Sequence, residues 1–338
     1  MQEQVRWTDR CVKYLTRAGV VGSVVASLLI LFPFSASAAD AWPSRPIRIV
    51  VPFGPGGTTD LLARLVAEGL TKSLGQSVIV ENKGGAGGNI GAGEVARAQP
   101  DGHTLMMGTP GPLAINPYVY AKMSFRPEMD FAAVSHVADV PNVFLTSPVT
   151  GFKNIADLVA AAKARPGQIN YGSPGVGSTG HIMLEMLKQL ANVDITHVPY
   201  KGASQVAIDL LAGRIQVGGD NVPTAIENIR SGKLVALGVA SERELSVLPG
   251  VAPVGATVPG YVLSSWFVVV APASTPKPII DRISALIDAY LKQPETAERM
   301  RTLGAIPVGG PAERLAEHLK SEQARFRDVI LRTSIKPQ

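Results

Sequence analysis

One cysteine, Cys11, occurs in the 338 residues, and it sits in a charged stretch ahead of the first apolar run. The remainder of the chain therefore has no disulfide, no thiolate nucleophile and no cysteine-ligated metal. The five histidines, His103, His136, His181, His197 and His318, form no close pair at metal-ligand spacing. No metal and no cofactor are expected. Aromatic residues are scarce, and the lysines and arginines are scattered without aromatics between them, which argues against a nucleic-acid surface. Beyond Phe34 there is no apolar run long enough to cross a bilayer.

What is present at the start is Arg6, Arg10, Lys13 and Arg17, an uncharged run from Ala18 to Phe34, and the small residues Ser35-Ala36-Ser37-Ala38-Ala39. A basic segment, an apolar segment and an A-x-A arrangement read as a secretory signal peptide over residues 1–38, cleaved after Ala38 or Ala39. An uncleaved anchor is the competing reading, because the run is near the lower limit for a span. Cleavage removes Cys11 and part of the formal net charge of +5, leaving a mildly basic, soluble periplasmic protein without cysteine. Such a chain must rely on its apolar core, and about 300 residues divide naturally into two lobes.

The organising stretch runs from Ile47 to Leu70. Ile47 to Pro52 is a β-branched run that predicts a buried strand, and Asp60 to Leu70 carries helical spacing. Between them lies Phe53-Gly54-Pro55-Gly56-Gly57-Thr58-Thr59. Its glycines allow close backbone approach, and the helix start presents free N–H groups to an anion without any cationic side chain. The plainer reading is a β-to-α turn with Thr59 or Asp60 as N-cap. A β-carbon at Gly56 or Gly57 is expected to obstruct the ligand or exclude the required backbone angles. Arg64, one turn into the helix, is expected to face away from the loop.

Further strands are predicted at 77–82, 103–108, 142–146, 169–172, 195–200, 215–219, 234–240 and 266–272, alternating with helices at 154–164, 181–191, 203–212 and 278–291, a short one around 94–97, and helical segments at 295–303 and 311–331. This rhythm implies an α/β protein of parallel sheets, with ligands beyond the carboxyl ends of the strands. The stretches Val140–Thr146 and Tyr261–Val270 are the expected crossings between lobes. They place residues 40–142 and 264–338 in lobe 1 and 143–263 in lobe 2, with the hinged cleft of a periplasmic binding protein between them.

Three motifs invite sharper chemistry. Gly175-Val176-Gly177-Ser178-Thr179-Gly180 fits G-x-G-x-x-G between a strand and a helix, but His197-Val198-Pro199-Tyr200-Lys201-Gly202 stands where a dinucleotide site needs its acid. A small-anion loop is the better reading. Ser178 and His181 resemble a nucleophile and base and define the rival reading, a periplasmic hydrolase, although no G-x-S-x-G elbow surrounds Ser173 or Ser178. A hydroxyl at a helix start is otherwise a cap or ligand contact. Of the histidines, His181 is best placed to face the cleft, while His197 reads as packing. Asp220 and Asn221 follow two glycines at a strand end. Asp220 is either an acceptor for a ligand hydroxyl or amino group or a helix cap.

The segments Pro43 to Asp60, Asn82 to Gly91, Pro100 to Leu105, His197 to Gly202 and Ser231 to Leu234, taken in order, resemble the Bug family, the extracytoplasmic solute receptors of tripartite tricarboxylate transporters. The resemblance extends from about Trp42 to the C-terminus. It implies a two-lobed periplasmic binding (Venus flytrap) fold, a non-enzymatic role, a small carboxylate as ligand, membrane transporter subunits as partners, and a monomer. A receptor serving a signalling partner instead would share every one of these residues. Carried over by motif, the ligand loops fall on Phe53, Pro55, Gly56, Gly57, Thr58, Thr59 and Asp60, and on Ser173, Gly175, Gly177, Ser178, Thr179 and His181. Thr109, Pro110, Tyr200, Lys201, Gly202 and Asp220 are implied as further cleft positions. Two places depart from the family pattern: Gly218-Gly219 stand where a bulkier residue is usual, and Pro174 interrupts a loop that is often more hydroxylated. Both bear on the distal pocket.

Overall fold

The computed structural model describes residues 42–332, so the signal-peptide assignment to residues 1–38 lies outside the described residues. Every regular element among them belongs to one unit that begins at Arg45. The chain opens with β1 (Ile47–Val51), α1 (Thr58–Leu74), β2 (Val78–Asn82), α2 (Asn89–Ala96) and β3 (Thr104–Gly108). β1 pairs in parallel with β2 on one side and β3 on the other. Every residue of β3 is buried, as are all but Arg48 of β1, which is why both read as mostly apolar runs without a two-residue alternation. Two short helices, α3 (Asn116–Val119) and α4 (Pro127–Asp130), lead into β4 (Phe131–Thr146).

At sixteen residues, β4 is three times the length of the strand expected at 142–146. Its first part pairs antiparallel with β9 (Ser264–Pro272), from Phe131 opposite Pro272 to Pro141 opposite Ser264. At Asn142 it changes partners and pairs with β7 (Val217–Asn221) and β8 (Val235–Val239). The register with β9 shifts between Ala133 and Ser135 and again between His136 and Ala138. Each bulge resets the two-residue alternation, so the first part of the strand carries no readable period.

The second half of the sheet is built from α5 (Ile155–Ala164), β5 (Asn170–Ser173), α6 (Thr179–Ala191), β6 (Thr196–Pro199), α7 (Ala203–Leu211), β7, α8 (Val222–Arg230) and β8. β5 lies parallel between β6 and β7. The chain then returns along β9 to the first half, where α9 (Lys277–Leu291), α10 (Pro294–Thr302), β10 (Ile306–Pro307) and α11 (Ala312–Arg332) complete it. Each half is thus a mostly parallel sheet flanked by helices, the two-lobed α/β arrangement. Among the described residues no helix is long and apolar enough to cross a membrane.

One apolar cluster passes from Val50 and Met106 through Val268 and Trp266 to Phe144, Tyr171 and Leu184. Tyr171 and Tyr261 flank Phe144 at ring-centroid distances of 6.0 and 5.8 Å. Their hydroxyls donate to the carbonyls of Gly180 and Met183 on α6, so two buried phenols position the start of that helix. Gly219 accommodates this arrangement: a β-carbon there would lie 1.9 Å from the Tyr171 hydroxyl and 3.0 Å from the Met183 sulfur. Gly218 faces the opposite way, towards Leu210 and Val206. The paired glycines are therefore a packing solution in which Tyr171 takes the space of a side chain on β7. Gly219→Ala is expected to cost about 1–3 kcal/mol of stability through overpacking. Combining it with Tyr171→Phe should recover part of that loss, and chemical denaturation of the single and double variants measures the coupling.

Candidate functional site

The carboxyl ends of β1, β3, β5 and β7 face a common cavity of about 50 Å³ between the two half-sheets. That volume suits a small molecule. On the first side, α1 begins at Gly57, which is the N-cap residue, with φ −87° and ψ 170° and no side-chain cap. Neither Thr59 nor Asp60 caps the helix. The amide N–H groups of Thr58, Thr59 and Asp60 have no acceptor within it, and Thr58 and Thr59 line the cavity with Phe53, Gly54 and Gly57.

Asp60 stands behind this loop. Its carboxylate accepts hydrogen bonds from Gly56 N at 3.1 Å, Asn82 Nδ2 at 3.1 Å and Arg64 Nε at 3.1 Å. Burial raises its pKa, but the hydrogen bonds from Arg64, Gly56 and Asn82 outweigh that and leave it below the usual carboxylate range. Arg64, although 58% exposed, does not simply face away as its helical position implied: it reaches back one turn and braces the loop through Asp60. It is absent from the cavity lining.

On the second side, Ser178 is the N-cap of α6. Its Oγ accepts from His181 N and donates to the Gly175 carbonyl at 2.6 Å. Its proton is therefore directed at a carbonyl rather than at an imidazole. His181 Nδ1 accepts from Gly177 N, so the ring holds the loop from behind and lies outside the cavity lining. It stacks on His197 with centroids 4.4 Å apart, and His197 Nε2 lies 2.7 Å from Ser173 Oγ. Burial, with the adjacent His197 ring and Lys188 adding to it for His181 and Lys188 for His197, pushes His181 down to about 3 and His197 to about 4. Both rings are neutral at pH 7. Ser173, Gly175 and Gly177 shape the loop, while Ser178, Thr179, Pro174 and Gly180 present it to the cavity.

Two more helix starts reach the same space. Gly202 is the N-cap residue of α7, whose first residue, Ala203, lines the cavity, and Asn221 is the N-cap residue of α8. Asp220 and Asn221 end β7 and both line the cavity. Since Asn221 holds the cap position, Asp220 is not a helix cap. Burial raises Asp220 to about 6, against hydrogen bonds from Asn221 N and the Thr224 hydroxyl. Among the described residues the lining contains no lysine, arginine or histidine. An anion here meets helix N-termini, each equivalent to roughly half a positive charge, and hydroxyls.

The floor is a buried polar knot on the crossing strands. Asn142 Nδ2 donates to Asn221 Oδ1 at 2.9 Å and to Ser265 Oγ at 3.0 Å, with Phe267 beside them. The two halves also touch around the cavity. Ser204 Oγ donates to the Pro55 carbonyl at 2.6 Å, Gly54 N to the Lys201 carbonyl at 3.3 Å, and Tyr120 Oη to the Val176 carbonyl at 3.0 Å. Thr58 Oγ1 and Thr224 Oγ1 lie 3.1 Å apart.

Of the residues singled out in the sequence, Phe53, Gly57, Thr58, Thr59, Thr109, Ser178, Thr179 and Asp220 are brought together in the lining. Pro55, Gly56, Asp60, Ser173, Gly175, Gly177 and His181 stand one layer back, shaping the loops. Pro110 is buried at the start of the turn that follows Thr109. Tyr200 turns to Asp209, to which its hydroxyl donates at 2.7 Å, and Lys201 is exposed, contributing only its carbonyl to the contact with Gly54. Asn142, Ser265 and Phe267 were missed. The available signal was a polar residue set in each apolar crossing strand, at Asn142 and Ser265.

Cleft, hinge strands and converging helix starts define a two-lobed periplasmic binding protein. The family model described as tripartite tricarboxylate transporter family receptor matches residues 62–335, and the chain belongs to that family. Protein BugT of Bordetella pertussis is 35% identical over 320 residues, covering 94% of this chain and 97% of BugT. Among solved structures, that of R. palustris Rpa4515 with adipate superposes with a TM-score of 0.85 at 38% identity, covering 88% of this chain and all of the other. MatC from Rhodopseudomonas palustris with bound malate gives a TM-score of 0.82 at 31% identity, covering 86% of this chain and all of the other.

The first loop separates two glycines that the sequence treated alike. Gly56 has φ +80°, and a β-carbon on it would lie 3.2 Å from Ser204 Oγ, whereas Gly57 has an ordinary φ and only Ala203 Cβ, at 3.8 Å, near its β-carbon position. Gly56→Ala should therefore cost the unliganded protein about 1–2 kcal/mol, and Gly57→Ala almost nothing. Denaturation curves with equal losses for the two would contradict this assignment. Asp220 yields a pH signature. Its raised pKa means that the folded protein binds a proton the unfolded chain has released between about pH 4 and pH 6, so this group's contribution falls as pH rises through that window. Relative to wild type, unliganded Asp220→Asn should gain up to roughly 2–3 kcal/mol between pH 4 and pH 7.5, which melting at the two pH values measures.

Proposed function

We propose that this protein is a non-enzymatic periplasmic receptor that closes on one small organic carboxylate and delivers it to the membrane subunits of a tripartite tricarboxylate transporter. The observation that carries the reading is the convergence of helix starts from both halves on one cavity whose lining, among the described residues, has no basic side chain. A carboxylate seated there accepts hydrogen bonds from the amides at Thr58 and Thr59 on one side and at Thr179 and Gly180 on the other, so the anion itself joins the halves. Closure about β4 and β9, with residues 40–142 and 264–338 moving against 143–263, gives such a receptor its open and closed forms. Adipate and malate in two related structures support a dicarboxylate of this size. The basic segment, apolar run and small residues that precede Asp40 in the sequence support the periplasm as its compartment. The Ser178 proton, donated to Gly175, gives the hydrolase alternative no activated nucleophile.

The test is mass spectrometry of ligand released from denatured, freshly purified protein, followed by a thermal-shift panel of organic acids and their esters. A cognate carboxylate at about a hundred times its dissociation constant should add about 2.7 kcal/mol of stability. Failure of every acid to shift melting, or turnover of any ester, counts against the receptor reading.

A further inference from the structure

Asp220 is the one feature of the cavity that a pure anion site does not account for. It is an acid in the wall of a small cavity, 9% exposed, and among the described residues no basic side chain lines the cavity with it. It does not hold the N-cap position of the following helix, which Asn221 occupies, and its two partners at that helix start leave acceptor capacity over. It does not serve a metal, because among the described residues no group of three or more acids and histidines is arranged to hold one. Nor does it serve the core phenol near it, since the Tyr171 hydroxyl donates to the Gly180 carbonyl. Its own partners are Asn221 N, which donates to Oδ1 at 2.7 Å, and the Thr224 hydroxyl, whose hydrogen bond to the Asn221 carbonyl competes for the same proton. A carboxylate has about four acceptor positions, so acceptor capacity remains on the cavity side.

Position as well as chemistry is fixed. Asp220 sits within β7, opposite Val143 of β4, and cannot swing aside as a loop residue would. A bound carboxylate held by the starts of α1 and α6 shares this enclosed space, where like charges repel strongly unless a donor lies between them.

Resting on the proposed receptor role, we propose that Asp220 is a specificity-determining residue: it accepts a hydrogen bond from a hydroxyl or ammonium group on the ligand, so that the site selects hydroxy- or amino-substituted carboxylates over unsubstituted acids of the same length. Unsubstituted acids incur the same burial of Asp220 without offering it a donor. The two kinds of donor differ in what they ask of it. A hydroxyl needs an acceptor oxygen, and an ammonium group also needs the charge.

Calorimetry on the full mature chain with two matched series tests this: succinate, malate and aspartate, and adipate, 2-hydroxyadipate and 2-aminoadipate. In at least one series wild type should bind a substituted member at least about tenfold tighter than the unsubstituted one. Asp220→Leu, which keeps the size but accepts no hydrogen bond, should reverse that order, gaining affinity for the unsubstituted acid. Asp220→Asn, which keeps an acceptor without charge, should retain a hydroxyl preference and lose an ammonium preference. The wild-type ratio stands as a test even if a variant does not fold. Unsubstituted acids bound as tightly as substituted ones by wild type in both series, or a preference unchanged in folded Asp220→Leu, overturns the assignment of Asp220 while leaving the receptor reading intact. Absence of binding by all six acids overturns both.

Discussion

The antiparallel pairing of β4 with β9, followed at Asn142 by a change of partner to β7 and β8, fixes where the two half-sheets stand. Because β4 continues through both halves without a break, the carboxyl ends of the parallel strands on either side are brought to one space, and the helices that follow them start there. Four helix N-termini, on α1, α6, α7 and α8, converge as a consequence of strand direction. The polar knot of Asn142, Asn221 and Ser265 satisfies buried groups at the partner change and becomes the cavity floor.

The proposed mode of anion binding divides the work between backbone and side chains. The amides are aimed by loop geometry, and that geometry is held from outside the lining. Asp60, bonded to Gly56, Asn82 and Arg64, fixes the first loop, while Ser178 and the stacked, neutral His181 and His197 fix the second. Several residues marked as ligand contacts from sequence thus act one layer behind the surface. In that proposal, side chains that do line the cavity are free to discriminate among ligands that all share a carboxylate.

Most of the regular elements were legible because each βα unit has a short apolar strand, a glycine-rich turn and an amphipathic helix. The order of strands and the loops at their ends followed from that rhythm. β4 between Phe131 and Pro141 was not legible, since its two bulges erase the alternation on which a strand is recognised. α8 was missed for a different reason: β7 passes straight into it, with Asn221 both ending the strand and holding the N-cap position, so no turn residues separate the two. In the site, the loops at the starts of α1 and α6 stood out because glycine and threonine are unusual at that density. Thr109 was reached only through the family resemblance, and Asn142 and Ser265 depend on strands distant in sequence becoming neighbours. The Asp60–Arg64 brace needed a rotamer, which spacing on a helix does not supply.

The meeting of Gly219 with Tyr171 bears on how such a receptor changes its diet over evolutionary time. Gly219 belongs to the cavity wall, yet the space beside it is occupied by a phenol whose hydroxyl holds the first turn of α6. A larger residue at 219 cannot simply intrude on the cavity; it must first displace a core side chain that also positions the start of α6. Changes in the contour of this wall are therefore tied to residue 171, and variants that exchange bulk between the two positions in step are the accessible route to a differently shaped pocket. Asp220, one residue further along the same strand, carries no such tie, so polarity and contour can drift separately, the first by single replacements and the second only by pairs.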